Sequence, residues 1–502
     1  MKRTFFAGFW PVPVFTVIAF LVMGYHPGAE DDGIYLAAVK ADVTPGLFPH
    51  DWGFFALQMR TSVFDNWMAA FIHSTGISVA WAEFLWQAIS VLLIVWACWT
   101  ILCRLTPNRL ERLGGIALFA SMLTIPVAGT ALYIADQYLH PRNPATGLIL
   151  LAVSRILAGR RWQAVPLLLG AFILHPLMGT LGVSFCFFLT LVFFEPLQVQ
   201  IRSLRARLVA QTAADIATPV AALIPFTWIF DPPSQLWLNA VGTRHSYWLY
   251  HWTWYEWLGA IGPLILFWVA LRLARKQGET TLARFLSAIL VYGVFQQTFA
   301  MIVLGPRSLV GCTTLEPMRY LQLVYVFMTL IGGMYIARYL LKARVWRWAL
   351  FLLLANGGMY FAQRQLFAEN AHVELPGART SNPWLQAFDW VRQNTPTDAY
   401  FALDPYYMNA PQENNHSFRA LAERSVLADA VKDTAVITKV PELGPVWVRQ
   451  TEAQRGWSNF QAADFERLKS GFGVNWVLVR YPQPDGLDCQ WHNNLLAACR
   501  IP

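Results

Sequence analysis

Apolar residues in this chain fall in long unbroken runs separated by short basic patches. Runs of roughly 17–25 apolar residues are long enough to cross a bilayer as helices. Such spans are predicted near 7–24, 79–103, 114–134, 144–159, 162–176, 178–195, 208–230, 253–271, 284–304, 318–341 and 345–366. The run through "ILHPLMG" is divided into two helices, because the residue before Pro176 is pushed out of helical geometry. Met1-Lys2-Arg3 and the apolar residues from Phe5 to Met23 resemble a signal peptide. The apolar run is longer than an ordinary signal core and no small-x-small cleavage site follows, so it is read as a retained first helix.

Between the first two spans, residues 25–78 form a long connection. Within it "WGFFALQMRTSVFDNWMAAFI" (Trp52–Ile72) has apolar residues at helical spacing and few charges, the pattern of a helix lying on a membrane interface. From about Glu369 the pattern changes to that of a small soluble domain. "NPWLQAFDWVRQNTP" and "AADFERLKSGF" read as helices, and "AYFALDP", "RSVLADA", "VNWVLVRYP" and "LLAACRIP" as strands. The expected organisation is an α-helical polytopic membrane module of about eleven transmembrane helices over 1–367 and an extracytoplasmic α/β domain over 368–502.

Composition supports that reading. Of 502 residues, 56% are hydrophobic and 14% charged, against about a quarter charged in soluble domains. The net charge of +8 does not require nucleic acid. Lys2/Arg3, Arg104/Arg109/Arg112, Arg160/Arg161, Arg202/Arg205/Arg207, Arg272/Arg275/Lys276/Arg284 and Lys342/Arg344/Arg347 alternate onto one face of the predicted bundle. By the positive-inside bias that face is cytoplasmic, which places the N-terminus inside and the C-terminal domain outside. Of the six cysteines, Cys98, Cys103 and Cys186 lie in apolar spans and Cys312 in an outer loop. Cys489 and Cys499 are expected to close the terminal turn as a disulfide in an oxidising compartment, with two free thiols as the alternative.

Candidate chemistry gathers on the outer face. "GAEDDGIY" carries Asp31 and Asp32 just past the first span, and "DQYLHPRNP" carries Asp136, Gln137, His140 and Arg142. His175 lies at the "LHP" turn, and "LEPMRY" carries Glu316 and Arg319. Adjacent carboxylates suit a general base or a metal ligand. Arginines on the outer face run against the charge bias, and an anionic partner such as a phosphate accounts for them. Plainer readings stand beside these: Asp31 and Asp32 as a solvated loop end, His140 and His175 as helix-end or packing residues. Asp215 falls within a predicted span, where acids are functional candidates. The chain has no Walker loop, GxGxxG, CxxC or HExxH, so ATP-driven transport, dinucleotide chemistry and zinc-protease chemistry have no support.

The acidic pair in the first outer loop, the interface helix beside it, the many spans and the outer α/β tail resemble the GT-C superfamily. These are polytopic glycosyltransferases that use polyprenyl-phosphate-linked sugars. "IADQYLHPRNPATG", "LHPLMG", "EPMRYLQLVY" and "WVRQNTPTDAYFALDP" look like an uncharacterised bacterial branch of those proteins. The resemblance implies a multi-pass inner-membrane enzyme with its site facing the periplasm. Its partners would be a polyprenyl-phosphate-linked sugar, membrane lipid and a glycan, lipid or protein acceptor. The family's acid in the first loop matches Asp32, with Asp31 as the alternate, and a second acid matches Asp136. The donor phosphate would be held by Arg142 and Arg319, in surroundings shared by His140, His175 and Glu316. Some relatives bind a divalent metal between acids, which leaves metal dependence open here.

Two other readings compete. A transporter or flippase for a lipid-linked or anionic solute would use the same arginines, but predicts polar residues through the midplane and paired repeats. A non-catalytic scaffold of an envelope assembly predicts that the tail matters and Asp32 does not.

Overall fold

A computed structural model describes residues 10–194, 233–409 and 415–502. The predicted span 208–230, with Asp215, lies outside the described residues. The architecture is an α-helical polytopic membrane bundle followed by a C-terminal α/β unit. Among the described residues, five helices are long and apolar enough to cross a membrane: Val79–Leu105, Pro176–Phe193, Trp254–Lys276, Thr280–Leu304 and Leu309–Leu341. Pro11–Met23 and Arg161–Leu174 are apolar but shorter. Large apolar side chains such as Leu169, Phe187, Ile265, Val294 and Leu353 are exposed on these and neighbouring helices, as a lipid-facing surface requires.

We label the membrane-module helices α1 (Pro11–Met23), α2 (Asp32–Val43), α3 (Gly53–Met59), α4 (Phe64–Thr75), α5 (Val79–Leu105), α6 (Arg109–Ser121), α7 (Arg142–Leu157), α8 (Ala164–Leu174) and α9 (Pro176–Phe193). Then come α10 (Gln235–Gly242), α11 (Trp254–Lys276), α12 (Thr280–Leu304), α13 (Leu321–Ile336) and α14 (Val345–Leu366). Helices α6 and α13 meet through glycines. A Cβ on Gly333 would stand 2.2 Å from the Gly114 carbonyl oxygen, so only bare backbone fits there. At one end of the bundle Arg338 binds Glu111 at 2.9 Å and Glu279 at 2.5 Å, joining three of the basic short connections.

Three sequence expectations change. The predicted span 114–134 stops at Ser121, and the following segment folds as a buried loop. Pro126 cannot donate to a helix, and it instead pairs across to Tyr133. The interface helix predicted over Trp52–Ile72 is two helices, α3 and α4, broken around Arg60–Val63. Helix α2 was not anticipated at all. The break at "LHP" is as expected: His175 is extended (φ −149°, ψ 92°) between α8 and α9.

The C-terminal unit holds a five-stranded sheet of β1 (Tyr400–Leu403), β2 (Ser425–Val426), β3 (Trp476–Arg480), β4 (Asp488–His492) and β5 (Leu496–Arg500). The order is β2-β1-β3-β5-β4, parallel from β2 to β3 and antiparallel beyond. The helices are α15 (Pro383–Asn394), α16 (Phe418–Ala422), α17 (Asp433–Ile437), α18 (Gly444–Ala453) and α19 (Ala462–Phe472). Alternate residues of β1 face opposite layers: Phe401 and Leu403 pack with Phe388 and Val391 of α15, Tyr400 and Ala402 with Phe465 and Leu468 of α19. Cys489 and Cys499 are partners in the β4–β5 register and are joined as a disulfide.

Candidate functional site

The bundle, the first loop and the C-terminal unit enclose a cavity of about 300 Å³. Its walls include Glu30, Asp31, Tyr133, Asp136, His140, His175, Arg244, Tyr247, Glu316, Arg319, Lys432 and Lys439. Residues that the sequence places hundreds of positions apart thus converge. Four wall residues, Glu30 (φ 52°), Ala128 (φ 43°), Ala131 (φ 54°) and Glu316 (φ 42°), hold left-handed backbone. Non-glycine residues keep such conformations only where the surroundings over-determine them, and these cluster at functional sites.

The "EDD" run is divided by α2. Asp31 is the residue just before the helix, and its half-buried carboxylate faces the cavity, where Lys432 Nζ donates to Oδ1 at 3.2 Å. Burial pushes the Asp31 carboxyl up, but the charges of Lys432, Arg142 and Arg244 outweigh it and hold the group well below the usual range. Asp32, favoured in sequence as the acid of the first loop, does not line the cavity. It is buried, its Oδ2 accepts from the Gly28 N–H at 2.6 Å, and it points toward Glu83 of α5. Burial, with the nearby Glu83 carboxylate, pushes its carboxyl well above the usual range.

The "DQYLHPRNP" turn is fixed by buried amides. Gln87 donates to the Asp136 carbonyl at 2.7 Å, and Asn143 accepts from the Asp136 N–H at 3.1 Å while donating to the Tyr138 carbonyl at 3.1 Å. This presents Asp136 to the cavity, but Arg142 grips it with bonds of 2.7 and 3.0 Å. Arg142 itself is buried behind the wall. Arg319 is an ion-pair partner of Glu316, whose Oε1 also accepts from the Tyr247 hydroxyl at 3.2 Å.

His140 Nδ1 accepts from the Arg142 N–H at 3.0 Å, and His175 Nδ1 from the Met178 N–H at 3.3 Å, as the cap of α9. With both δ nitrogens used as acceptors, each ring is held as a neutral imidazole with its proton on Nε2. Burial, then Arg142, keeps both well below the usual histidine range. The two rings lie 5.6 Å apart.

Cations from outside the sequence-read candidates complete the site. Lys432 precedes α17 and engages Glu30 as well as Asp31. Lys439 lines the cavity and approaches Glu316 at 4.0 Å. Among the described residues, the Arg244 guanidinium has no hydrogen-bond or carboxylate partner. No motif marks these three. Lys432 and Lys439 are seven apart, flanking a helix too short to announce itself.

A smaller cavity of about 130 Å³ shares Tyr35, His175 and Lys439 with the first and is otherwise walled partly by Leu174, Pro176 and Leu177. It leads toward α8 and α9, where Leu169, Phe172, Ile173 and Phe187 are exposed. The main cavity's acids each engage a cation: Glu30 and Asp31 with Lys432, Asp136 with Arg142, Glu316 with Arg319. A divalent metal would have to displace one of these cations to bind there.

No protein-family model and no curated relative matches the chain. Among solved structures, the crystal structure of ArnT from Cupriavidus metallidurans in the apo state aligns over 100% of this chain and 99% of that one, at 12% identity and a TM-score of 0.40.

Proposed function

We propose that this chain is a membrane glycosyltransferase of the GT-C type, moving a sugar from a polyprenyl-phosphate-linked donor to an extracytoplasmic acceptor, with Asp31 as the base. The observation that carries the reading is one cavity in which a cavity-facing carboxylate lies among cations from two parts of the chain. A lipid-phosphate sugar already has a leaving group. The protein needs positive charge where the phosphate departs and a base beside the acceptor hydroxyl.

Arg244 is the first anchor for the phosphate, because its guanidinium is not already committed to a carboxylate. Lys439 and Lys432 add charge on the side of the C-terminal unit. The smaller cavity beside Leu174 and Leu177 supports an apolar path for the prenyl chain toward the lipid face. Asp136 acts by holding Arg142, and Glu316 by orienting Arg319. His140 and His175, uncharged, are suited to hydrogen-bonding sugar hydroxyls.

In the free protein Lys432 suppresses the basicity of Asp31. Donor phosphate competes for the Lys432 ammonium and frees the carboxylate. As the acceptor oxygen bonds to the sugar's anomeric carbon, its proton passes to Asp31. The bond between that carbon and the phosphate oxygen breaks, its electron pair leaving with the phosphate. The basic connections at the other end of the bundle orient the chain with this cavity on the periplasmic side of a bacterial inner membrane.

The test is release of polyprenyl phosphate from lipid-linked sugars by the full chain purified in detergent. Asp31→Asn should abolish turnover while the protein remains monodisperse, and folded Asp32→Asn should retain it. Wild-type turnover in Asp31→Asn would remove Asp31 as base. A wild type inert toward every polyprenyl-phosphate sugar would return the transporter reading to first place.

A further inference from the structure

Behind the loop that carries Glu30 and Asp31, outside both cavities, lies a second polar cluster. His26 and His416 have fully buried side chains, and that of Glu374 is 15% exposed. His26 Nδ1 lies 2.6 Å from Glu374 Oε1, and His416 Nε2 lies 3.3 Å from the same oxygen. The three donor atoms all fall within 4.8 Å of one another. Phe367 stacks on His26 at 3.7 Å and meets His416 edge-on at 6.2 Å, so neither ring can turn away without losing that contact.

The three residues come from separate stretches: the segment after α1, the segment after α14, and the approach to α16. Backbone bridges bring these together, Tyr25 with Val373 and Ala29 with His416. Glu374 also borders a groove of about 740 Å³, which gives an ion a way in.

Two imidazoles and a carboxylate on one point are a borderline donor set. It suits zinc, whereas magnesium and calcium select oxygen ligands. Ligands at roughly 2.0–2.1 Å from a tetrahedral zinc stand about 3.3 Å apart. The His416–Glu374 separation already has that value, and the His26–Glu374 pair has only to open by less than about 1 Å from hydrogen-bond length.

We propose that His26, Glu374 and His416 bind one zinc ion, which clamps the C-terminal unit to the loop bearing Asp31. On binding, any ring proton directed at Glu374 relocates to the far nitrogen of its imidazole, so neutral rings coordinate with no net proton loss. The inference does not depend on the reaction proposed for the cavity.

The experiment uses the full chain in detergent, without a histidine tag, stripped by chelator and then dialysed against zinc or magnesium. Metal analysis should find one zinc per chain and no retained magnesium, and zinc should raise the unfolding temperature. The double variant His26→Gln/His416→Gln should lose both effects. Failure of the stripped wild type to take up one zinc, or uptake by the double variant equal to wild type, would overturn the proposal. X-ray absorption at the zinc edge of the loaded wild type is the check independent of variant folding. Two imidazoles in a nitrogen and oxygen shell are expected, and a shell with sulfur or without imidazole would overturn it.

Discussion

Arg419 of the C-terminal unit donates from Nε to Asp51 of the first loop at 2.6 Å, across 368 positions of sequence. Its remaining nitrogens bind Asp433 at 3.1 and 3.2 Å, and all three groups are buried. Removing the guanidinium would leave two buried carboxylates without their cation. Arg419→Met is therefore expected to cost about 3–5 kcal/mol, the scale for breaking a buried pair from one side. Arg419→Lys should recover only part, because a point charge cannot reproduce the fork. Thermal unfolding in detergent reads both, and an unshifted transition would show that the clamp contributes nothing.

The glycine contact between α6 and α13 makes a sharper steric prediction. Gly333→Ala places a methyl against the Gly114 carbonyl and should destabilise by about 1–3 kcal/mol, as overpacking does. Gly357→Ala is the control, since a Cβ there meets nothing within 4 Å. Equal unfolding temperatures for the two variants would contradict the packing.

On the proposed reaction, the cavity cations should separate binding from proton transfer. Arg244→Met should raise KM for a lipid-linked donor by about tenfold or more, because a hydrogen bond to a charged group is worth about 1.5–3 kcal/mol. Lys432→Met should instead move the acidic limb of the kcat/KM profile to higher pH. The free protein's Asp31 is held low largely by that ammonium, and losing it lets the carboxyl rise. A limb that does not move would detach Asp31 from the rate.

Asp65 of α4 gives a pH test of stability. Its Oδ1 is buried without a hydrogen-bond partner, and burial, with Asp42 nearby, pushes the carboxyl up to about 6. The unfolded value is near 4. The folded state therefore holds the proton longer, and stability falls as pH rises from about 4 through 6. Asp65→Asn should be more stable than wild type at pH 7.5, on the order of 1–3 kcal/mol, with the difference gone at pH 4. Parallel unfolding curves for the two proteins at both pH values would refute this.

Much of this was legible in sequence because apolar runs and proline breaks are local signals. His175 ends a helix where Pro176 requires it, and Phe401, Trp476 and Ala498 lie in strands that read as such. Strand β4 was not read, because Asp488, Gln490 and His492 give an edge strand a polar pattern. The outer-face candidates did converge, but two assignments within them depended on direction rather than composition. The start of α2 falls between Asp31 and Asp32, which sends neighbouring carboxylates to opposite sides. Arg142 and Arg319 read as phosphate holders, yet the fold supplies each with its own carboxylate. Arg244, Lys432 and Lys439 could not be found from spacing, since their meeting point is created by tertiary packing alone.

The wall of the cavity is contributed in instalments during synthesis. Asp31 is made early, Asp136 and His175 follow, and Lys432 and Lys439 come last, some four hundred residues after the first acid. A chain that stops before Lys432 lacks both lysines of the cavity wall and leaves Asp31 without its ammonium partner. The bundle can therefore settle in the membrane before its cavity is fully walled, and the two lysines arrive only when the tail docks.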